Sequence, residues 1–373
     1  YVPSNIHLNS DWTAQYQGIY RTNALINMLP EINMNDSTKV QMMAEGKFLR
    51  AFYYFNLVTV YGGVPLVDHV LAPTEFQMGR ASEDEIWDFI ELNLEEAIDD
   101  LRLRSELSFD DYGRVTKGAA RSLLLKTLVY REKWSDAVIL GDIIINTNQY
   151  SLDADYEDIF TIAGENGPGS IFEIQRSSQG GGYWGNVNGS NDGNLAVVYQ
   201  LPRGAYGGWG FNIPQQNFVD EFESGDPRIH ASVFQIGDEL CDRGTLSKGA
   251  TGFDHDYYSK KYFACRSEHE LISIGDPVMN GDANDRVIRY ADVLLLTAEA
   301  AYHQSDEALA RNLVNQVRTR ARRSASDPDA VLPDITSSGA SLLLAIYHER
   351  GVELGLEGEK FFDLVRTGRA ATI

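Results

Sequence analysis

The sequence has few cysteines, no long apolar run and a shortage of basic residues. Only Cys241 and Cys265 occur among its 373 residues, and no cluster of His or Cys surrounds them, which argues against a thiolate metal site. Both lie in one segment that is rich in Gly and Tyr. That position is compatible with a disulfide formed in an oxidising compartment and, equally, with two buried free thiols.

Acidic residues outnumber basic ones, 54 to 32, and the formal net charge is -22. Nucleic acids and anionic membrane surfaces are bound mainly through Lys and Arg, so the charge disfavours both as partners. Neutral ligands such as sugars remain compatible with it. The longest apolar runs, such as Leu294–Leu296, fall far short of the roughly 20 apolar residues that a transmembrane helix requires.

Three zones differ in texture along the chain. Residues 1–150 and 286–373 carry helical patterns, whereas residues 151–285 are rich in Gly, Asn, Asp and aromatic residues. Ser82 and Glu85 match a capping box, which predicts the start of a helix. Apolar residues at steps of three and four predict helices on either side of that start. These residues are Ala44, Phe48, Ala51, Phe55 and Val58 before it and Trp87, Ile90, Leu94 and Ala97 after it.

Two helix pairs, at 116–147 and 291–321, resemble each other, with small residues where the helices cross and an aromatic residue near the turn. This pattern is typical of tetratricopeptide helix pairs and is also compatible with ordinary helical hairpins. The sequence therefore predicts a mainly all-α fold, a tetratricopeptide-like helical repeat scaffold with a large irregular insertion of loops and short strands. We expect residues 1–150 and 286–373 to pack as one scaffold and residues 151–285 to form a ligand-binding insertion.

Known catalytic and metal-binding motifs do not fit this sequence. No phosphate loop or nucleophile elbow occurs, and the second His of a zinc helix that begins at His348 is replaced by Val352. Asp254–Asp256 could ligate a cation, but its short spacing is typical of a solvated loop. Asn280, Asp282 and Asn284 match the opening of a calcium loop, but Asp285 and Ala291 stand where its Gly and closing Glu would be. We therefore predict no cofactor and no metal.

Glycoside hydrolysis needs two carboxylates that flank the bond, and acidic clusters occur at 220–226 and 349–359. With 54 acidic residues in the chain, such clusters arise by chance. The second cluster alternates with basic residues such as Arg350, which favours a structural ion-pair network. We predict that the protein is not an enzyme, with a glycosidase that uses Glu221 and Asp226 as an alternative.

The aromatic residues of the middle zone lie among Gly and Asn, off any helical period. Exposed rings offer flat apolar faces on which sugar rings stack, while Asn and Arg side chains bind hydroxyl groups. We predict a sugar-binding site built from such rings and their polar neighbours. The predicted ligand-binding residues are Tyr183, Trp184, Tyr206, Trp209 and Phe211, with Asn186, Arg203 and Asn212. Alternatively, these rings hold a long loop against the scaffold.

Short motifs spread from residue 12 to residue 369 resemble those of one family. The early motifs are Trp12, Tyr16, Arg21 and Asn23, then Ala44–Ala51 and Tyr61–Leu66; the late motifs are Ile288–Val293, Ala298–Ala300, Asn315–Ala321, Glu349–Arg350 and Phe362–Arg366. In order and together, they resemble the SusD/RagB-like outer-membrane nutrient-binding proteins. Such motif residues are largely structural in that family, so Glu349, Arg350 and Asp363 are expected to tie helices together.

The resemblance implies a non-enzymatic receptor on a tetratricopeptide-like scaffold. It also implies a lipoprotein on the surface of the outer membrane, with a lipid-bearing cysteine that would precede Tyr1, and a SusC-like TonB-dependent barrel transporter as partner. Members of the family bind glycans or, in some cases, peptides. We therefore predict that the protein captures an oligosaccharide and delivers it to the barrel. A peptide ligand and a purely structural adaptor within a surface complex are the alternatives.

Overall fold

The computed structural model describes residues 5–177, 193–252, 255–263, 265 and 281–372. The chain divides into two compact units, Tyr1–Gln149 and Tyr150–Ile373. The irregular middle segment and the last helices therefore fall in one unit. Among the described residues, no helix combines the length and the apolarity that crossing a membrane requires.

The first unit is a series of helices in which each packs against the next along the chain. They are α1 (Ile6–Met28), α2 (Asp36–Tyr61), α3 (Glu83–Ile98), α4 (Lys117–Tyr130) and α5 (Trp134–Asn146). The predicted capping box is confirmed: the Glu85 N–H donates to Ser82 Oγ at 3.2 Å, and the Ser82 N–H donates to Glu85 Oε2 at 2.8 Å. Helix α2 ends at Gly62, whose φ of 68° favours glycine.

A buried arginine connects three of these helices. Arg50 of α2 donates from Nε and Nη2 to the Asn93 side chain of α3 at 2.9 and 2.7 Å, and from Nη1 to the Asn23 side chain of α1 at 2.9 Å. Hydrogen bonds to a charged group stabilise a fold more than neutral ones do when the group is buried. Arg50 therefore fixes the positions of α1, α2 and α3 relative to one another.

The second unit combines a helical part with short strands. Its elements are β1 (Ser170–Ile174), α6 (Ala196–Gln200), α7 (Gln216–Val219), α8 (Arg228–Ser232), β2 (Val233–Gln235), α9 (Lys248–Thr251), β3 (Tyr257–Ser259), β4 (Asp285–Arg289), α10 (Tyr290–His303), α11 (Glu307–Arg322), α12 (Ala340–Glu353) and α13 (Glu359–Arg366). Strands β1 and β4 pair antiparallel, as do β2 and β3. Helix α10 is almost entirely buried and packs against both α11 and α12.

The mainly α-helical, tetratricopeptide-like fold is confirmed, and the helices predicted from apolar spacing are present. Two nearby glycines have different surroundings. Gly351 lies within α12, whereas Gly355 follows the end of that helix at Glu353. A Cβ atom at Gly355 would lie 2.5 Å from the Phe218 ring, whereas one at Gly351 would meet only the flexible end of Lys360, at 2.6 Å. Close packing thus explains the glycine at 355.

Candidate functional site

A glycine-rich turn brings two segments of the middle zone side by side. The Trp209 N–H donates to the Val198 carbonyl at 2.8 Å, and the Phe211 N–H donates to the Tyr199 carbonyl at 2.7 Å. The turn needs glycine at 208, because a Cβ atom there would overlap the Leu201 carbonyl oxygen. The hydrogen bonds fix the end of α6 against the chain that follows the turn.

Three aromatic rings meet on this turn: Tyr199, Trp209 and Phe211, which we call the aromatic platform. The ring centroids of Tyr199 and Trp209 are 5.0 Å apart at 71°, and those of Trp209 and Phe211 are 6.1 Å apart at 76°. Trp209 is 38% exposed and Phe211 49% exposed. Because edge-to-face pairs stabilise one another, the platform can keep apolar ring surface in contact with solvent in a fixed orientation.

A buried apolar cluster includes Val198 of α6, Leu201 just after it, Phe234 and Tyr206. The expectation that Tyr206 presents an exposed ring is wrong, because its side chain is only 3% exposed. Its hydroxyl donates to the Thr245 carbonyl at 2.7 Å and accepts from the Ser247 N–H at 2.9 Å. With both hydrogen-bonding roles of the phenol satisfied internally, burial costs little, and Tyr206 is part of the buried cluster.

Two predicted polar residues border the platform and also hold it in place. Arg203 Nε donates to the Trp209 carbonyl oxygen. Asn212 Nδ2 donates to Gln200 Oε1 at 2.9 Å and to the Leu356 carbonyl at 3.1 Å, which uses both of its amide hydrogens. The side-chain carbonyl oxygen of Asn212 receives no hydrogen bond from a described residue.

Of the remaining predicted residues, Tyr183, Trp184 and Asn186 lie outside the described residues. The sequence does not single out Tyr199 and Gln200, because they follow two buried valines in α6 and no glycine flanks them. The glycine-rich turn is the local signal that could have indicated them. A tight turn places the residues before it beside those after it, and Tyr199 therefore beside Phe211.

The two cysteines form a disulfide, with their Cα atoms 5.7 Å apart. Among the described residues, no group of three His, Cys, Asp or Glu side chains could hold a metal ion. Asp254 and Asn280, which the sequence offered as weak cation ligands, lie outside the described residues.

Several carboxylates of the two acidic clusters enter a buried ionic network. Its centre is Glu353, whose side chain is 0% exposed and lies 2.5 Å from Arg320, 3.0 Å from Arg289 and 3.2 Å from Arg228. Burial alone would raise the pKa of Glu353, but these guanidinium groups hold it well below its usual range. Asp226, a candidate in the hydrolase alternative, is buried in the same network at 2.8 Å from Arg228.

The network ties the C-terminal helices together, as predicted for Glu349, Arg350 and Asp363. Arg350 of α12 lies 3.0 Å from Asp363 of α13 and 2.7 Å from Asp292 of α10, and Glu349 lies 3.1 Å from Arg318 of α11. Burial would raise the pKa of Asp363, but its guanidinium neighbours hold it at about 2. Near Glu357, burial lowers the pKa of Lys261 to about 8. These buried carboxylates are therefore structural partners of cations.

Comparison with known proteins places the fold in context. Residues 168–372 match the model of the SusD family, and residues 1–128 match a model described as starch-binding associating with outer membrane. A SusD-like protein of Formosa agariphila is 28% identical over 401 positions, which cover 97% of this chain and 73% of the relative. One from Bacteroides ovatus is 26% identical, with 96% and 65% covered.

Solved structures agree with the sequence comparisons. A laminarin-binding SusD-like protein superposes with a TM-score of 0.84 at 33% identity, covering 97% of this chain and 78% of that one. Surface glycan-binding protein A from Bacteroides thetaiotaomicron, in complex with laminarihexaose, superposes with a TM-score of 0.79 at 25% identity, covering 97% and 77%. With a family model over more than half of its length and matching structures over nearly all of it, the chain belongs to the SusD family.

Proposed function

We propose that this protein captures oligosaccharides on the aromatic platform and leaves them chemically unchanged. The observation that carries the proposal is the exposure of Trp209 and Phe211 beside each other, on a turn fixed by hydrogen bonds. Apolar rings at a surface lose contact with water when a sugar lies on them, and the C–H face of a pyranose offers a matching flat surface. A fixed platform also avoids the entropy cost of ordering loose side chains on binding.

The angles within the platform favour a particular shape of ligand. The three rings are mutually inclined by 50° to 76°, so they do not form one flat surface. Flat, ribbon-like glycans would stack on only one ring at a time. A glycan whose successive sugar rings turn relative to one another can contact two, and laminarin and laminarihexaose, which relatives bind, are therefore the first ligands to test.

Polar groups at the border of the platform complement the rings. Asn212 presents a carbonyl oxygen as an acceptor, and Arg203 carries a guanidinium group beside Trp209. Sugar hydroxyls both donate and accept hydrogen bonds, so one acceptor and one donor beside the rings are enough to fix the orientation of a stacked pyranose.

The setting that we propose is the outer surface of the outer membrane, with lipid anchoring and delivery of the ligand to a SusC-like TonB-dependent barrel. Support comes from the family to which the chain belongs and from the matched description of association with the outer membrane. The net charge of -22 is compatible with a neutral glycan. A basic peptide, the rival ligand, would be attracted by that charge, and its binding would weaken strongly with salt.

Calorimetric titration with a panel of oligosaccharides tests the proposal. The panel holds laminarihexaose, cellohexaose, maltohexaose, mannohexaose and xylohexaose, and each mixture is assayed afterwards for new reducing ends. We expect at least one glycan to bind, with little dependence on salt and with no product. Binding of none would contradict the proposal, and release of shorter sugars would assign the protein to the glycosidase alternative.

A further inference from the structure

A cavity of about 230 Å³ lies beside the disulfide, separate from the rings of the aromatic platform. Ala231 and Phe234 form a buried floor, and the ring of Phe263 meets that of Phe234 edge to face at 4.9 Å. Phe160 closes another side. Because Cys241, which also lines it, is exposed, the cavity opens to solvent.

A cation is held at the rim of this cavity. Lys260 Nζ donates to Glu157 Oε1 and to the His230 carbonyl, each at 2.8 Å, and lies 5.5 Å from the centre of the Phe234 ring. An ammonium group carries three N–H donors. Two fixed acceptors therefore position the group and leave one donor for a molecule in the cavity.

A carboxylate stands at the same rim. Glu239 lines the cavity and accepts a hydrogen bond from the Thr245 hydroxyl through Oε1, and the two residues also form an isolated β-bridge. The second carboxylate oxygen of Glu239 is an acceptor for a ligand. The disulfide fixes Cys241, two residues further on, to Cys265. The disulfide thus links the segment that contains Glu239 covalently to the segment that follows Lys260.

We propose that this cavity is a second carbohydrate site, which takes a single pyranose ring. Its volume lies below the roughly 300–1,000 Å³ of sites for drug-sized ligands, so the occupant is small. An apolar aromatic floor with one donor and one acceptor at the rim suits a ring that has C–H faces and hydroxyl edges. The inference rests on the proposed glycan-binding function and adds a separate site for a terminal or branching sugar of the same ligand.

Ligand-detected saturation-transfer NMR tests this site with D-glucose, D-galactose, D-mannose and N-acetyl-D-glucosamine on the full chain. N-acetyltyrosinamide serves as an aromatic probe. Lys260→Met keeps the aliphatic stem over Phe234 and removes the donor, and Glu239→Ala removes the acceptor. Lys248→Met, a surface lysine paired with Asp256 in the same unit, is the matched control. Trp209→Ala reports on the platform.

We expect one monosaccharide to bind and both rim variants to weaken it at least about tenfold, since each loses a hydrogen bond to a charged group. Lys248→Met and Trp209→Ala should leave it unchanged. Loss of the signal in Trp209→Ala alone would place the sugar on the platform and overturn this proposal, while the proposed function stands. Binding of no monosaccharide, or of N-acetyltyrosinamide only, would also overturn it. Circular dichroism checks that each variant is folded. If Lys260→Met proves to be unfolded, the result for Glu239→Ala decides the test.

Discussion

The substitution Glu353→Gln tests the buried ionic network, because it removes one charge and preserves the shape of the side chain. Glu353 is 0% exposed, and its carboxylate faces Arg320 at 2.5 Å, Arg289 at 3.0 Å and Arg228 at 3.2 Å. A neutral amide at this position removes one of the negative charges that balance these guanidinium groups. Removing one partner of a buried ion pair costs about 3–5 kcal/mol.

That cost is large compared with the stability of a folded domain, about 5–15 kcal/mol. It corresponds to a fall in melting temperature of about 6–20 °C for a domain of this size. Scanning calorimetry and urea titration of the wild type and the variant measure it. Asp334→Asn is the matched control, because Asp334 is 54% exposed and pairs with Arg322 at 2.8 Å, and such surface pairs contribute at most about 1 kcal/mol. Equal effects of the two substitutions would refute the reasoning.

Four further variants have expected results of different kinds. Gly351→Ala should stabilise α12 by up to about 1 kcal/mol through helix propensity, whereas Gly355→Ala should destabilise the protein through overlap with an aromatic ring; thermal melts give the sign of each. Asp363→Asn should cost about 2 kcal/mol near neutral pH, because the folded state lowers the pKa of this carboxyl from 3.8 to about 2. Replacing Cys241 and Cys265 by serine should cost about 3.5 kcal/mol in urea titrations, the entropy of the released loop.

The Asp363 effect has a defined pH dependence. A depressed pKa means that the carboxylate stabilises the fold above its ordinary pKa of 3.8, and that this contribution is lost as the pH falls towards 2. Melting temperatures of wild type and Asp363→Asn should therefore converge below about pH 4. A difference that stays constant down to low pH would contradict the pKa argument. If Gly351→Ala and Gly355→Ala shifted the melting temperature in the same direction, the packing argument would be contradicted. If replacing both cysteines left the urea midpoint unchanged, the stabilising effect of the disulfide would be contradicted.

The helices could be predicted from the sequence because their signals are local. The capping box at Ser82 and Glu85 and the apolar spacing of α2 and α3 each depend on residues a few positions apart. Motif residues of the C-terminal part were correctly expected to join helices. The partners that complete the network, Arg228 and Lys261, come from the middle segment, and no local pattern in the sequence predicts ion pairs over such separations.

The exposure of the aromatic rings was predicted only in part, for a related reason. Trp209 and Phe211 are exposed and adjacent, but Tyr206 is buried, although it lies among the same glycines. Its burial depends on two partners from a later part of the chain: its hydroxyl donates to the Thr245 carbonyl and accepts from the Ser247 N–H. Composition distinguishes an aromatic residue in a loop from one in a helix. It does not show whether the ring is buried, because the polar partners that decide this are distant in sequence and meet the ring only in the folded chain.

The exposed platform is tested most directly by titrating laminarihexaose into the wild type, Trp209→Ala and Phe109→Ala by calorimetry. Phe109 is 84% exposed in the first unit and controls for the loss of any surface ring. Stacking on Trp209 predicts a Kd at least about tenfold weaker in Trp209→Ala and an unchanged Kd in Phe109→Ala, with both variants folded by circular dichroism. Equal affinity of Trp209→Ala and the wild type would contradict the account.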